Sequence, residues 1–395
     1  WNDQVQYLSD GYTAWEHARA AGFFPALLQT LINPSAQGTL HDTAALLVFQ
    51  LAGPSRSAAL ALNMLALIAW QLALFVAVQR LSRHPGLAFI AALLPLALAG
   101  PWENIPGAAY DFRLDHLAMC ALGVASAAAL LTDRFRSRSG ATLFGGAIAL
   151  TLLLRFLTGT YVVLIFAGLW CWVMSGPERR RRCTHLLWSA AVTLLLAGPF
   201  FWINREYIYE YYWIGHYLGP ESTIRNQNFG LGRSLEFIFT ALGRQHLGWF
   251  FGVAALLGAA GIVGDRTRGE PAGAGDAAVI GLIWLLAPAI VLLLHQQKSD
   301  VVVSALVPGA VLLAVALWLR IARPPGQTQT GPTSIALTGL TCTLILAFFT
   351  HRQFRPADDP ATFAHIRQVN TLADELARRI QRAGIAHPAI GVDYI

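Results

Sequence analysis

Apolar residues run along the chain in continuous blocks separated by short polar loops. Each block is about 16–25 residues long, close to what a helix needs to cross a ~30 Å hydrocarbon layer. The blocks fall at 57–79, 86–101, 115–132, 141–155, 157–175, 186–203, 247–264, 277–296, 301–322 and 332–350. They are continuous rather than alternating with the period of two that a strand would impose. In lipid only helices and closed barrels satisfy their own backbone, so the pattern predicts an all-α, polytopic integral membrane protein with about ten membrane helices. Two regions depart from a simple span. Segment 42–52 is apolar but short, and reads as a buried or re-entrant piece. Region 141–175 reads as two short helices meeting at their far ends, because Arg155 and the Thr158-Gly159-Thr160 break interrupt it.

The loops then set the orientation. One set holds Arg80 and Arg83, Arg134, Arg136 and Arg138, Arg179 to Arg182, Arg266 and Arg268, and Arg320 and Arg323. With 141–175 folded as a hairpin, all of these fall on one face, and the positive-inside rule makes that face cytoplasmic. This predicts a multi-pass protein of the inner (plasma) membrane. The extracytoplasmic face receives 1–41, 102–114, 204–246 and 351–395. The first of these places Tyr7, Leu8, Tyr12, Trp15 and Phe23 near one helical face and reads as an amphipathic surface helix. Segment 204–217 concentrates Tyr207, Tyr209, Tyr211, Tyr212, Trp213 and Tyr217, a composition suited to the membrane–water boundary. In the tail, 361–384 reads as an amphipathic helix, and the apolar 388–392 could begin a strand. The expected organisation is a transmembrane catalytic domain at 1–350 followed by the start of a C-terminal soluble domain at 351–395. The abrupt ends at Trp1-Asn2-Asp3 and Asp393-Tyr394-Ile395 read as those of a piece of a longer protein, with an earlier helix and further C-terminal sequence outside it.

Composition agrees with this picture and narrows the function. The chain of 395 residues is 55% hydrophobic and only 13% charged, with mean hydropathy +0.49. The net charge of +6 does not indicate nucleic acid, because the arginines sit in short loops between apolar blocks. The cysteines Cys120, Cys171, Cys183 and Cys342 form no CxxC pair, so neither a disulfide framework nor a thiolate metal site is indicated. There is no Walker A, no GxGxxG after a strand and no HExxH. His41, His216, His246 and His295 lack ligand spacing, so no metal and no cofactor are expected.

The informative residues are charges at the edges of apolar blocks, where ionised groups are costly. Asp3 and Tyr7, spaced i, i+4, head the amphipathic segment; a first-turn cap is the plain reading and a catalytic carboxylate the functional one. His41-Asp42 opens the short apolar stretch, as a cap or as a second acidic group beside the first. Asp111 and Asp115, also i, i+4, predict carboxylates on a shared helix face, with His116 beside them and Arg113 pointing elsewhere. Arg155 interrupts an apolar block and needs a partner or a cavity. Lys298, the chain's only lysine, stands at the extracytoplasmic end of a span; it is either a snorkelling interface residue or a point-charge contact to phosphate. Arg205 and Arg225 are solvated loop charges or further phosphate contacts.

These motifs resemble the membrane glycosyltransferases of the GT-C class, in particular the group containing protein O-mannosyltransferases and the lipid A aminoarabinose transferase. The likeness rests on Asp3 with Tyr7, on His41-Asp42 followed by Phe49-Gln50-Leu51-Ala52-Gly53, Arg56 and Asn63, on the acidic helix start at Asp111–His116, and on Lys298 ahead of Pro308. It covers roughly 1–325. Asn2-Asp3-Gln4 departs from a paired acid, and His41 stands where relatives commonly carry a proline-rich stretch. The resemblance implies transfer of a sugar from a polyprenyl-phosphate carrier to a protein, lipid or glycan acceptor on the extracytoplasmic face. It implies Asp3 as general base with Asp42 assisting or positioning the acceptor. It further implies Lys298, Arg155 and Arg225 on the lipid phosphate, with Tyr7, His41, Asp111, Arg113 and Asp115 organising the substrates. A transporter or lipid-handling permease would also carry intramembrane charges but typically shows a hydropathy repeat, and none is found. A non-catalytic subunit of a larger membrane complex is the other alternative.

Overall fold

The computed structural model describes residues 2–102, 107–219, 230–248, 250–254, 272–295 and 298–322. It also describes 343–345 and 347 and, in the tail, 368, 371–372, 375–376 and 378–384. The chain divides into two compact units, Trp1–Phe348 and Phe349–Ile395. In the second, the described residues are mostly helical, with Glu375 pairing to Arg379 at 3.0 Å across one turn. Of the spans expected at 247–264 and 332–350 only 247–248, 250–254, 343–345 and 347 are described, and 388–392 lies outside the described residues.

Two helices, α1 (Asn2–Ala21) and α2 (Phe23–Ile32), replace the single amphipathic helix expected at the start. Gly22 breaks them apart at φ 99°, a conformation that L side chains rarely adopt. The apolar face of α1 packs on α3 (Leu40–Ala52), where Tyr12 stacks on Phe49 with centroids 5.3 Å apart. Five described helices are long and apolar enough to cross a membrane. They are α4 (Arg56–Ser82), α6 (Leu114–Leu131), α9 (Arg179–Ile203), then, beyond the shorter α10 (Arg205–Ile208) and α11 (Gly230–Thr240), α12 (Ala272–Leu294) and the segment Asp300–Arg320, which comprises α13 (Asp300–Val303), a 3-10 turn and α14 (Val307–Ala322). The expected span at 86–101 is instead α5 (Pro85–Leu93) ending in a 3-10 turn with Pro95. Those expected at 141–155 and 157–175 are α7 (Arg138–Leu154) and α8 (Thr158–Met174), each of 17 residues. The count of about ten is therefore not reached among the described residues.

α7 and α8 pack little on each other, the Phe144 and Phe166 rings meeting with centroids 5.8 Å apart. α7 packs on α6 and α9, while α8 packs on α12. Close approach is set by glycines. A Cβ on Gly309 of α14 would lie 2.5 Å from the Leu285 nitrogen of α12, and one on Gly123 of α6 would lie 2.3 Å from the buried Trp70 ring of α4. At the arginine-rich end, Arg134 grips Asp276 with its Nε at 2.8 and 3.0 Å from the two carboxylate oxygens. That tie holds the α6–α7 turn to the start of α12, so the helices enter the opposite end, where the site lies, in a fixed register.

Candidate functional site

The turn between α7 and α8 delivers Arg155. Its backbone is extended, at φ −154° and ψ 109°, where the helix stops. Segment 37–39 lies alongside it: the Thr39 amide donates to the Leu153 carbonyl at 2.9 Å, and the Phe156 amide donates to the Gln37 carbonyl at 2.7 Å. Between these bonds a Cβ on Gly38 would lie 2.4 Å from the Leu154 carbonyl oxygen, so glycine is needed for the approach. The Arg155 guanidinium pairs with Asp115 in the first turn of α6, and both side chains are largely buried.

The segment before α6 supplies a second pair. Arg113 Nε lies 2.9 Å from Asp111 Oδ2, and the Gly107 amide donates to the same oxygen at 2.8 Å. Both residues precede the helix, which starts at Leu114, and Arg113 has extended dihedrals. The expectation that Asp111 and Asp115 share a helix face, with Arg113 turned away, therefore fails: α-helical spacing does not apply before residue 114, and Arg113 faces the cavity described next. Three polar side chains hold this segment by its carbonyls. Asn63 donates to Ala109 and Asp111, both at 3.0 Å, Arg56 to Tyr110 at 3.1 Å, and Gln4 to Tyr110 at 3.4 Å.

Arg113, Asp115 and Arg155 line one cavity of about 160 Å³. Tyr7 and Gln37 close one side, where the Tyr7 hydroxyl donates to Gln37 Oε1. Tyr211, Tyr212 and His216 come from a π-helical stretch, Tyr209–Leu218, that follows α9; such wide turns are uncommon and recur at functional sites. His216 meets His295 edge to face with centroids 5.9 Å apart. Burial pushes the Tyr212 hydroxyl pKa up to about 12, against the opposing pull of Arg155. The apolar wall comprises Leu157, Tyr161, Val291, Leu292, Val301 and Val302. A small void of about 10 Å³ adjoins the cavity between the helices, lined by Ala118, Met119, Leu122 and Ala305 and sharing Asp115, Arg155, Tyr161 and Val302 with it. Two guanidinium groups, each oriented by a buried carboxylate, thus stand beside an apolar wall. This arrangement suits an anionic head group joined to an apolar tail.

The other expected site residues are distributed around this cavity. Asp3 lies in α1 one turn before Tyr7, and its side chain lies outside the described residues. His41 packs between Tyr7 and Phe112, with centroids at 5.0 and 4.5 Å. Its neighbour Asp42, 3.3 Å from His41 Nδ1, lines a different cavity. Lys298 directs its ammonium onto the carbonyls of Leu292, Leu293 and His295, at 2.6, 3.3 and 2.5 Å, and so caps α12. Burial lowers its pKa. Arg205 pairs with Glu206 at 2.9 Å on the surface, and Arg225 lies outside the described residues. Gln37 was invisible to sequence reasoning, because nothing marks an uncharged loop amide. The tyrosine-rich segment was visible as an interface feature, but not as a cavity wall.

The crystal structure of ArnT from Cupriavidus metallidurans bound to undecaprenyl phosphate superposes on the chain with a TM-score of 0.52 at 14% identity. The match covers 79% of this chain and 53% of that one. The fold is that of ArnT. The apo ArnT structure gives a TM-score of 0.50 at 15% identity, over 80% of this chain and 61% of ArnT. The chain thus spans roughly half to three-fifths of the length of ArnT, and what it shares is a multi-pass, helical membrane fold. No family model matches the sequence, and no curated protein sequence matches it.

Proposed function

We propose that the chain is the membrane part of a GT-C-type glycosyltransferase that takes a sugar from a polyprenyl-phosphate donor at the extracytoplasmic face. The observation that carries this reading is the cavity that sets Arg113, Asp115 and Arg155 against an apolar wall, on a fold shared with a protein crystallised with undecaprenyl phosphate. The arginine-rich loops at the other end of the helices support the orientation.

In this reading the donor phosphate engages the guanidinium groups of Arg155 and Arg113. The buried partners Asp115 and Asp111 keep both guanidinium groups aimed and balance their charge while the site is empty of phosphate. The polyprenyl tail runs between the helices. The acceptor hydroxyl oxygen forms a bond to the anomeric carbon of the sugar. The bond from that carbon to the phosphate oxygen breaks, and its electron pair leaves with the polyprenyl phosphate. The hydroxyl proton passes to a carboxylate. Asp3 is the proposed base, because the helical register of α1 places position 3 one turn from Tyr7, which lines the cavity. Tyr211 and Tyr212 cover the sugar and help exclude water.

The test is sugar release from a panel of polyprenyl-phosphate sugars by the purified full-length protein, wild type against Asp3→Asn. Turnover in the wild type and its loss in a folded Asp3→Asn protein is the expected result. Equal turnover would remove Asp3 as base and leave Asp42 as the remaining candidate. Uptake of the lipid-linked sugar into vesicles without covalent change would replace the enzyme with a transporter.

A further inference from the structure

A second cavity lies beside the first, and the chemistry proposed above does not use it. It measures about 280 Å³ and is enclosed by α1, α2, the 33–38 segment and the start of α3. Its polar side chains are Asp10, Thr13, His17, Gln29, Thr30, Asn33, Ser35 and Asp42; Ala14, Ala26, Pro34 and Gly38 complete it. Among the described residues no arginine, lysine, phenylalanine, tyrosine or tryptophan lines it, and His17 contributes the one imidazole. An anionic ligand would meet two carboxylates against a single imidazole, and an apolar ligand would strip water from eight polar side chains. What fits is a neutral ligand that both donates and accepts hydrogen bonds at closely spaced positions. The carboxylates accept from hydroxyls, the amides of Gln29 and Asn33 donate to them, and the threonine and serine hydroxyls do either.

The two cavities share walls. α1 presents Tyr7 to the first and Asp10, one turn on, to the second. The 33–38 segment presents Gln37 to the first and Ser35 and Gly38 to the second. The hydrogen bond from the Tyr7 hydroxyl to Gln37 stands in this partition, and so does His41, which packs on Tyr7 while Asp42 faces the second cavity. Gln37 also reaches the Tyr211 hydroxyl, at 3.5 Å, on the far side of the first cavity.

From this geometry we infer that the second cavity is the acceptor subsite, and that it selects a polyhydroxylated, sugar-like acceptor. The inference rests on the glycosyltransferase reading and adds the acceptor class to it. Asp42 and Asp10 orient hydroxyls of the acceptor ring. One further hydroxyl is presented past Tyr7 and Gln37 toward the donor sugar.

The experiment uses the full-length protein in nanodiscs, which carry no sugar-based detergent. Saturation-transfer NMR is recorded with methyl α-glycosides of glucose, galactose, mannose and xylose, and binding of undecaprenyl phosphate is measured on the same samples. The expected result is contact with at least one glycoside in the wild type. That contact falls about tenfold in Asp42→Asn, the loss of one hydrogen bond to a charged group. It also falls in Asn33→Trp, which fills the cavity from its exposed rim, while Glu16→Gln, exposed on α1 and outside the cavity lining, retains it. No glycoside contact in the wild type, or contact unchanged by both cavity variants, overturns the acceptor subsite. If undecaprenyl phosphate still binds in that event, the subsite falls alone; if it does not, the glycosyltransferase reading falls with it.

Discussion

At the scale of single residues, the site depends on charges buried in pairs. Asp115 is 6% exposed and its partner Arg155 16%. Removing one partner leaves an uncompensated charge in a poorly solvated place, at a cost of about 3–5 kcal/mol, whereas removing both costs much less. Arg155→Gln is therefore expected to lower the melting temperature markedly, and Asp115→Asn combined with Arg155→Gln to recover most of the loss. Additive losses in this double-mutant cycle would contradict the pairing. Asp10 behaves differently. Burial raises its pKa, and the charge of Asp42 adds to the rise, while the hydrogen bond from Gln6 opposes it. A raised carboxylate pKa means that the folded state holds the proton more tightly than the unfolded chain. Its contribution to stability is then fully present below the ordinary aspartate value and is lost as pH rises through the folded value. Asp10→Asn should consequently raise the melting temperature near pH 7, with the gain shrinking as pH falls toward 4. A gain constant across that range would contradict the assignment. Part of the candidate site was legible in the sequence. Arg155 stood out because a charge inside an apolar block needs a partner, and His41-Asp42 because an acid opened an apolar segment. The direction of Arg113 was not legible, since it depends on α6 starting at Leu114 rather than three residues earlier.

Among the secondary-structure elements, packing relies on glycines at helix crossings. Gly123→Ala places a methyl group against the rigid, fully buried ring of Trp70, and Gly309→Ala places one against the backbone of α12. Overpacking of this kind costs about 1–3 kcal/mol. Gly146→Ala, whose added Cβ meets nothing within 4 Å, is the matched control. The first two variants should show reduced melting temperatures and reduced yield of monodisperse protein, and the third should not. Equal behaviour of all three would contradict the crossing geometry. Hydrophobic block length, with breaks at Arg155 and Gly22, made the helices legible in outline. It did not reveal which glycines meet a neighbour, because contact between distant elements leaves no periodic mark on one sequence. Block length also overstated the span at 86–101, where Pro95 removes a backbone donor and turns the end of α5 into a 3-10 turn.

On the scale of the whole molecule, the arginine-rich ends of the helices and the site stand at opposite ends of the bundle. The positive-inside rule then predicts the orientation. A cysteine introduced at Ser139, exposed in the first turn of α7, should react with an impermeant maleimide only in inverted vesicles. One introduced at Tyr209 should react only in intact cells or right-side-out vesicles. The reverse pattern would place the site on the cytoplasmic side. The most direct test of the central claim is binding of the donor's lipid phosphate. Native mass spectrometry of the full-length protein with undecaprenyl phosphate, and with undecaprenol as the phosphate-free control, separates recognition of the head group from adhesion of the tail. The account predicts specific retention of undecaprenyl phosphate over undecaprenol, and a loss of about tenfold or more in Arg155→Gln, as expected for a charge-assisted contact. Equal retention of the two lipids, or retention of undecaprenyl phosphate unaffected by Arg155→Gln, would contradict it.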